Sequence, residues 1–174
     1  RTPYASWMKI KNMTAAASPV TGSMTSLWDR PGYLVRRLHQ IHVAIFLEEC
    51  AAFGITPVQY AVMTALLNRP DSDQVTVASD AGIDRTNVAD VLARLDQRGL
   101  VARSTSKTDR RQRIARLTPE GELMARDMER ASLSAQAKFM APLSAEKRTR
   151  LMALMTELVE ANNEFSRAPT RGSH

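Results

Sequence analysis

The stretch VTVASDAGIDRTNVADVLARLDQRGL, residues 75–100, decides the fold, because it holds two helices joined by the turn at 82–84. Thr76 is placed to cap a short first helix that Gly82 closes, glycine being the residue that ends a helix in the left-handed conformation at no steric cost. Asp84 caps a second helix in which Val88, Val91, Leu92 and Leu95 share one face, and Gly99 stands where a C-terminal glycine belongs. A short helix, a tight turn and a second helix form a helix-turn-helix unit, whose second helix is shaped to enter the DNA major groove.

On a helical wheel the face opposite those apolar residues turns out Thr86, Ala89, Asp90 and Ala93, with Asn87 and Arg94 at its margins. Asn bonds adenine N6 and N7 together, Thr reaches base edges or a thymine methyl, and Arg85 and Arg94 suit phosphate or guanine. Asp90 repels phosphate but accepts from cytosine N4. The helix carries as many Asp as Arg, so attraction to a polyanion has to come from elsewhere.

It comes from STSKTDRRQRIARLT, residues 104–118. Arg103 to Arg116 hold six basic residues against Asp109, a local charge of 6 − 1 = +5 in a chain whose total is +6. Extended candidates at 100–104 and 113–117 flank this run, which predicts a β-hairpin with Lys107, Asp109, Arg110, Arg111 and Arg113 at or near its tip. A basic hairpin directly after a helix-turn-helix is a wing. Narrow minor grooves concentrate negative potential and attract inserted arginine.

Further out, Leu34, Leu38, Ile41, Ile45 and Phe46 recur at three- and four-residue intervals between Asp29 and Ala52, and predict a long first helix. Thr56-Pro57 opens a second, with Val58, Val62, Ala65 and Leu66 as its stripe up to Pro70. Residues 70–74, PDSDQ, read as a polar turn. After the hairpin, Thr118-Pro119-Glu120 starts a helix bearing Met124, Met128, Ala131, Ala135 and Phe139, and Ser144 caps a last one with Leu151, Leu154, Met155 and Leu158. The expected class is mainly α with a small β-hairpin wing.

The segments LARLDQRGLVARSTSKTDRRQRIARLTPEG and TVASDAGIDRTNVADVL resemble the MarR (multiple antibiotic resistance regulator) family of transcriptional regulators, over about residues 32–165. That resemblance implies a winged-helix homodimer with interleaved terminal helices on pseudo-palindromic double-stranded DNA. It also implies that Asp109 orients Arg111 into the minor groove. Thr76, Arg85, Thr86, Asn87, Asp90, Arg94, Lys107, Asp109, Arg110, Arg111 and Arg113 are the candidate DNA contacts.

Relatives of this kind often bind aromatic carboxylates or phenols beside the first helix and then release DNA. In RPGYLVRRLHQIH, Tyr33, Arg36, Arg37, His39 and His42 lie within three helical turns and form the candidate effector site. Arginine offers a fork to a carboxylate and histidine a donor to its oxygens. A benzoate, a cinnamate or a thioester of either fits that chemistry.

The segmentation that follows is an arm or cloning remnant over 1–28, a first helix for dimerisation and effector binding over 29–55, a winged helix-turn-helix over 56–117, dimerisation helices over 118–165, and a tail ending in a tag-like RGSH over 166–174. One cysteine and three scattered histidines offer no structural metal set, and no cofactor is expected. The chain has no nucleophile elbow or phosphate-cradling glycine loop, so an enzyme is the weaker reading, as is a module that binds only other proteins. Without a secretory-type start or a run of about 20 apolar residues, a cytoplasmic protein is expected. Cys50 carries the redox-sensing alternative, against which stands its place near a helix end whose dipole disfavours a thiolate.

Overall fold

The computed structural model describes residues 26–106, 111–166 and 169. The described residues fall into two units, one up to Val35 and one from Arg36 onward. In the first, Ser26 caps a single 3-10 turn, Leu27–Asp29, by accepting from the Trp28 amide, and the Trp28 ring meets Tyr33 edge-on at 5.1 Å. Helix α1 (Pro31–Glu49) starts in this unit and continues into the next.

The second unit holds the core. Helix α2 (Pro57–Asn68) opens with a reciprocal capping box, in which Thr56 Oγ1 accepts from the Gln59 amide and Gln59 Oε1 accepts from the Thr56 amide. Strand β1 (Ser72–Asp73) leads into α3 (Gln74–Ala81), and α4 (Arg85–Gln97) follows after Gly82, whose φ of 64° is left-handed. Strands β2 (Val101–Thr105) and β3 (Arg113–Leu117) pair antiparallel from Val101↔Leu117 to Thr105↔Arg113, and β1 adds to the other edge of β3. Helices α5 (Pro119–Met140) and α6 (Ala145–Ala161) complete the order, capped by Thr118 and Ser144. Val62, Met63 and Leu66 of α2, Val77 of α3, Val88, Leu92 and Leu95 of α4, Val101 of β2 and Met128 of α5 close one apolar core around the helix-turn-helix.

Three expectations change. Asp73, not Thr76, caps α3: its carboxylate accepts from the Thr76 amide at 2.7 Å, and Thr76 lies inside the helix, half-buried. Residues 72–73 form a strand where a turn was expected, because Asp71 takes a left-handed φ of 57° and turns the chain onto the edge of β3. The stripe of α1 is mostly uncovered, with Phe46 buried while Leu38 and Ile41 are exposed.

The Arg98-Gly99-Leu100 and Thr118-Pro119-Glu120-Gly121 segments turn out to be architectural. Arg98 donates through Nη1 to the Gly54 carbonyl at 2.7 Å and through Nη2 to that of Phe53, which ties α4 to the turn after α1. Gly99 is left-handed at φ 73°, and Leu100 is buried. Thr118 Oγ1 donates to the Gly99 carbonyl and accepts from the Gly121 amide. A Cβ on Gly121 would collide with the Leu100 carbonyl oxygen, so only glycine lets the start of α5 approach the residue before β2 this closely.

Candidate nucleic-acid interface and cavity

Helix α4 has a buried and an exposed side. Val88, Leu92 and Leu95 are buried, whereas Arg85, Thr86, Asn87, Asp90 and Arg94 are exposed. Ala89 and Ala93, expected to face out, are half-buried. Thr86 is partly engaged: its amide and its hydroxyl both donate to Asp84 Oδ1 at 3.0 Å.

The hairpin brings its arginines to the beginning of the helix-turn-helix. Arg85 of α4, Arg111 and Arg113 line one open cleft with Asp73, Gln74, Val75 and Gln112. Gln112 Nε2 donates to Asp73 Oδ2, and the Ser106 amide donates to the Gln112 carbonyl at 2.9 Å, so the base of the wing is fastened to the N-cap of α3. Partial burial opposes ionisation of Asp73, but hydrogen bonds from the Thr76 amide and hydroxyl and from Gln112 outweigh it and hold the carboxyl below its usual range. Lys107, Asp109 and Arg110 lie outside the described residues, and with them the expected Asp109 to Arg111 pairing. Arg116, counted in the same basic run, faces elsewhere and makes a two-pronged ion pair with Asp71 at 2.7 and 2.8 Å.

A second feature is a cavity of about 620 Å³ lined by residues of α1, α2, α3 and α5. His42, Phe46, Tyr60, Ala61 and Ala65 form part of its wall, and Thr64, Asn68, Arg69, Asp80, Ser132 and Gln136 give it polar groups. Its volume is that of a small-molecule site. The His42 ring lies edge-on to Phe139 at 5.6 Å. Arg69, which caps the C-terminus of α2, reaches Asp80 of α3 at 3.4 Å.

Of the five effector candidates, His42 alone is among the cavity residues. Arg36, Arg37 and His39 are exposed on α1, Arg37 with Gln40 as a neighbour at 3.4 Å, and Tyr33 belongs to the first unit. Arg69, Asp80 and Tyr60 went unrecognised, since no local pattern links residues contributed by separate helices. Cys50 is buried, and burial followed by the neighbouring Glu49 charge pushes its thiol up, which disfavours a reactive thiolate. Among the described residues no group of three His, Cys, Asp or Glu could hold a metal, and no helix is long and apolar enough to cross a membrane.

The sequence model of the MarR family matches residues 53–112, which run from the end of the turn after α1 into the wing. Transcriptional regulator HosA of Escherichia coli O127:H6 is 32% identical over 134 residues, which span 77% of this chain and 98% of HosA. The chain belongs to the MarR family. As a MarR-family transcriptional regulator it has the winged-helix fold of that family's solved structures, with α3 and α4 as the helix-turn-helix and β2–β3 as the hairpin that follows it. BpsR of Bordetella bronchiseptica, whose DNA binding is regulated by 6-hydroxynicotinic acid, superposes with a TM-score of 0.73 at 28% identity over 76% of this chain and 95% of its own. The repressor CouR on a 23-mer DNA duplex matches with a TM-score of 0.71 at 27% identity, covering 79% of this chain and 98% of CouR.

Proposed function

We propose that this MarR-family regulator is a homodimeric repressor that grips a pseudo-palindromic operator with α4 and the wing, and releases it when a small aromatic acid or its thioester fills the 620 Å³ cavity. The convergence of Arg85, Arg111 and Arg113 on one cleft beside the exposed Thr86, Asn87, Asp90 and Arg94 carries the DNA part of this reading. Lys107, Asp109 and Arg110 remain DNA-contact candidates from the sequence, outside the described residues. Thr76 has a smaller claim, being half-buried in α3. The likeness to CouR on DNA supports the same surface, with residues 56–117 as the DNA-binding segment.

Dimerisation is assigned to the terminal helices, 29–55 and 118–165. Helix α6 buries no residue within its own chain, yet it carries Met152, Leu154, Leu158 and Val159 exposed, an apolar surface that a second copy would cover. The effector part rests on the cavity and on BpsR, whose regulator is an aromatic acid. His42 keeps its place in it, and Arg69 supplies the guanidinium assigned beforehand to Arg36 or Arg37.

Fluorescence anisotropy with the chain's own promoter region tests the reading. Saturable binding by a dimer to half-sites roughly 10 bp apart, weakened by 6-hydroxynicotinate or benzoate, is expected. A monomer at micromolar concentration with no preference for that DNA would overturn it.

A further inference from the structure

The cavity contains its own anion. Asp80 is largely buried, its side chain 19% exposed, and its nearest approach to Arg69 is 3.4 Å, while the Arg69 side chain is 58% exposed. Both residues line the cavity. Arg69 is held by α2, its amide donating to the Ala65 carbonyl at 2.9 Å, and its own carbonyl accepts from Ser72 Oγ at 2.8 Å. Asp80 sits in the last turn of α3, two residues before the left-handed Gly82 that aims α4. The pair therefore joins the end of α2 to the last turn of α3, the helix that leads into α4.

We propose that Arg69 and Asp80 form an exchangeable latch, and that an incoming carboxylate releases DNA by taking Asp80's place on Arg69. This rests on the cavity being the effector site. A guanidinium binds a well-placed carboxylate through two parallel hydrogen bonds shorter than the 3.4 Å approach to Asp80. Once the ligand holds Arg69, the Asp80 carboxylate faces a second carboxylate in a half-enclosed space. Like charges there repel, so α3 moves outward and α4 leaves the spacing that a dimer needs on DNA. The same exchange makes the coupling reciprocal: DNA binding favours the latched state and weakens the acid by the factor by which the acid weakens DNA.

Asp80 is thus a competitor of the ligand as well as the sensor of it, and this separates two measurements that ordinarily move together. The probes are 6-hydroxynicotinate, benzoate and the uncharged 6-hydroxynicotinamide, with binding read by calorimetry and release by anisotropy on promoter DNA. In the unmodified chain the acids should bind and lower DNA affinity about tenfold, which corresponds to about 1.4 kcal/mol of differential binding, whereas the amide should do neither. Asp80→Asn removes the competing charge and keeps the shape. It should bind the acids severalfold more tightly while its DNA affinity changes less than twofold on adding them. Arg69→Ala should lose tenfold or more in acid affinity, and circular dichroism confirms that each variant is folded. If Asp80→Asn bound the acids no better, or released DNA as fully as the unmodified chain, the latch would be overturned and the effector cavity would stand. If neither acid bound the unmodified chain, the effector reading would fall and the latch with it.

Discussion

Helices α4 and α6 carry the same kind of apolar stripe and put it to different uses. Val88, Leu92 and Leu95 of α4 are at most 1% exposed, packed under the helix-turn-helix. Leu154 and Leu158 of α6 recur at the same helical spacing and are 48% and 65% exposed. Periodicity states that a helix has a face to bury, and says nothing of whose surface covers it. In α4 the cover is its own chain, which makes the helix a rigid support for the side chains on its other side. In α6 the described residues of its own chain leave the face uncovered, so it adds little to the folding of one subunit, and the proposed dimer would cover it.

Leu92→Ala tests the first half of that contrast and should have the largest effect on unfolding. Truncating a fully buried leucine costs about 2–5 kcal/mol, and the loss should be independent of protein concentration in denaturant titrations. Gly121→Ala comes next. Its methyl would meet the Leu100 carbonyl, and α5 and β2 must part to admit it, for about 1–3 kcal/mol. A value near zero in that titration would mean that the start of α5 gives way freely.

Leu154→Ala combined with Leu158→Ala should cost a single subunit less than about 0.5 kcal/mol each, because both side chains are already exposed there. The same double change should raise the concentration at which the dimer dissociates, seen in sedimentation. The contrast breaks if these variants destabilise an isolated subunit as much as Leu92→Ala does.

The basic run divides in the same manner, part of it serving the fold and part facing outward. Arg116→Ala removes an exposed pair with Asp71 and should cost less than about 1 kcal/mol, leaving the salt dependence of DNA binding unchanged. Arg111→Ala should weaken DNA binding far more than Lys107→Ala, because an arginine inserted in a groove loses shaped contact and a flanking lysine loses one screened charge. Asp109→Ala should resemble the Arg111 change if that acid aims the arginine. Equal losses in all three would leave only bulk electrostatics.

The smallest effect is on pH dependence. The Asp73 carboxyl titrates below its ordinary value of 3.8 in the folded chain, so its contribution is complete above that pH and fades as pH falls through the lower folded value. Gln112→Ala removes one of the bonds holding it down and should shrink that acid-side loss. An unchanged profile between about pH 5 and pH 2, the span over which such a carboxylate titrates, would place Asp73's support elsewhere.

The sequence by itself determined the order of helices, the helix-turn-helix and the wing, and most of the caps: Thr56, Asp84, Thr118 and Ser144 each accept a backbone amide two or three positions ahead. Such contacts are local, so residue type and spacing suffice to read them. The exposed face of α4 was legible for the same reason, being the complement of an apolar period. Tertiary structure alone decided that residues 72–73 join the sheet, that Arg116 pairs with Asp71 across 45 positions, and that Arg98 caps the turn at 53–54. It also decided the cavity, where residues from α1, α2, α3 and α5 meet with no common spacing in the chain. Arg36 and Arg37 stand close to His42 in sequence yet are exposed on α1, whereas folding sets Arg69 and Asp80, remote in sequence, beside the cavity that His42 lines.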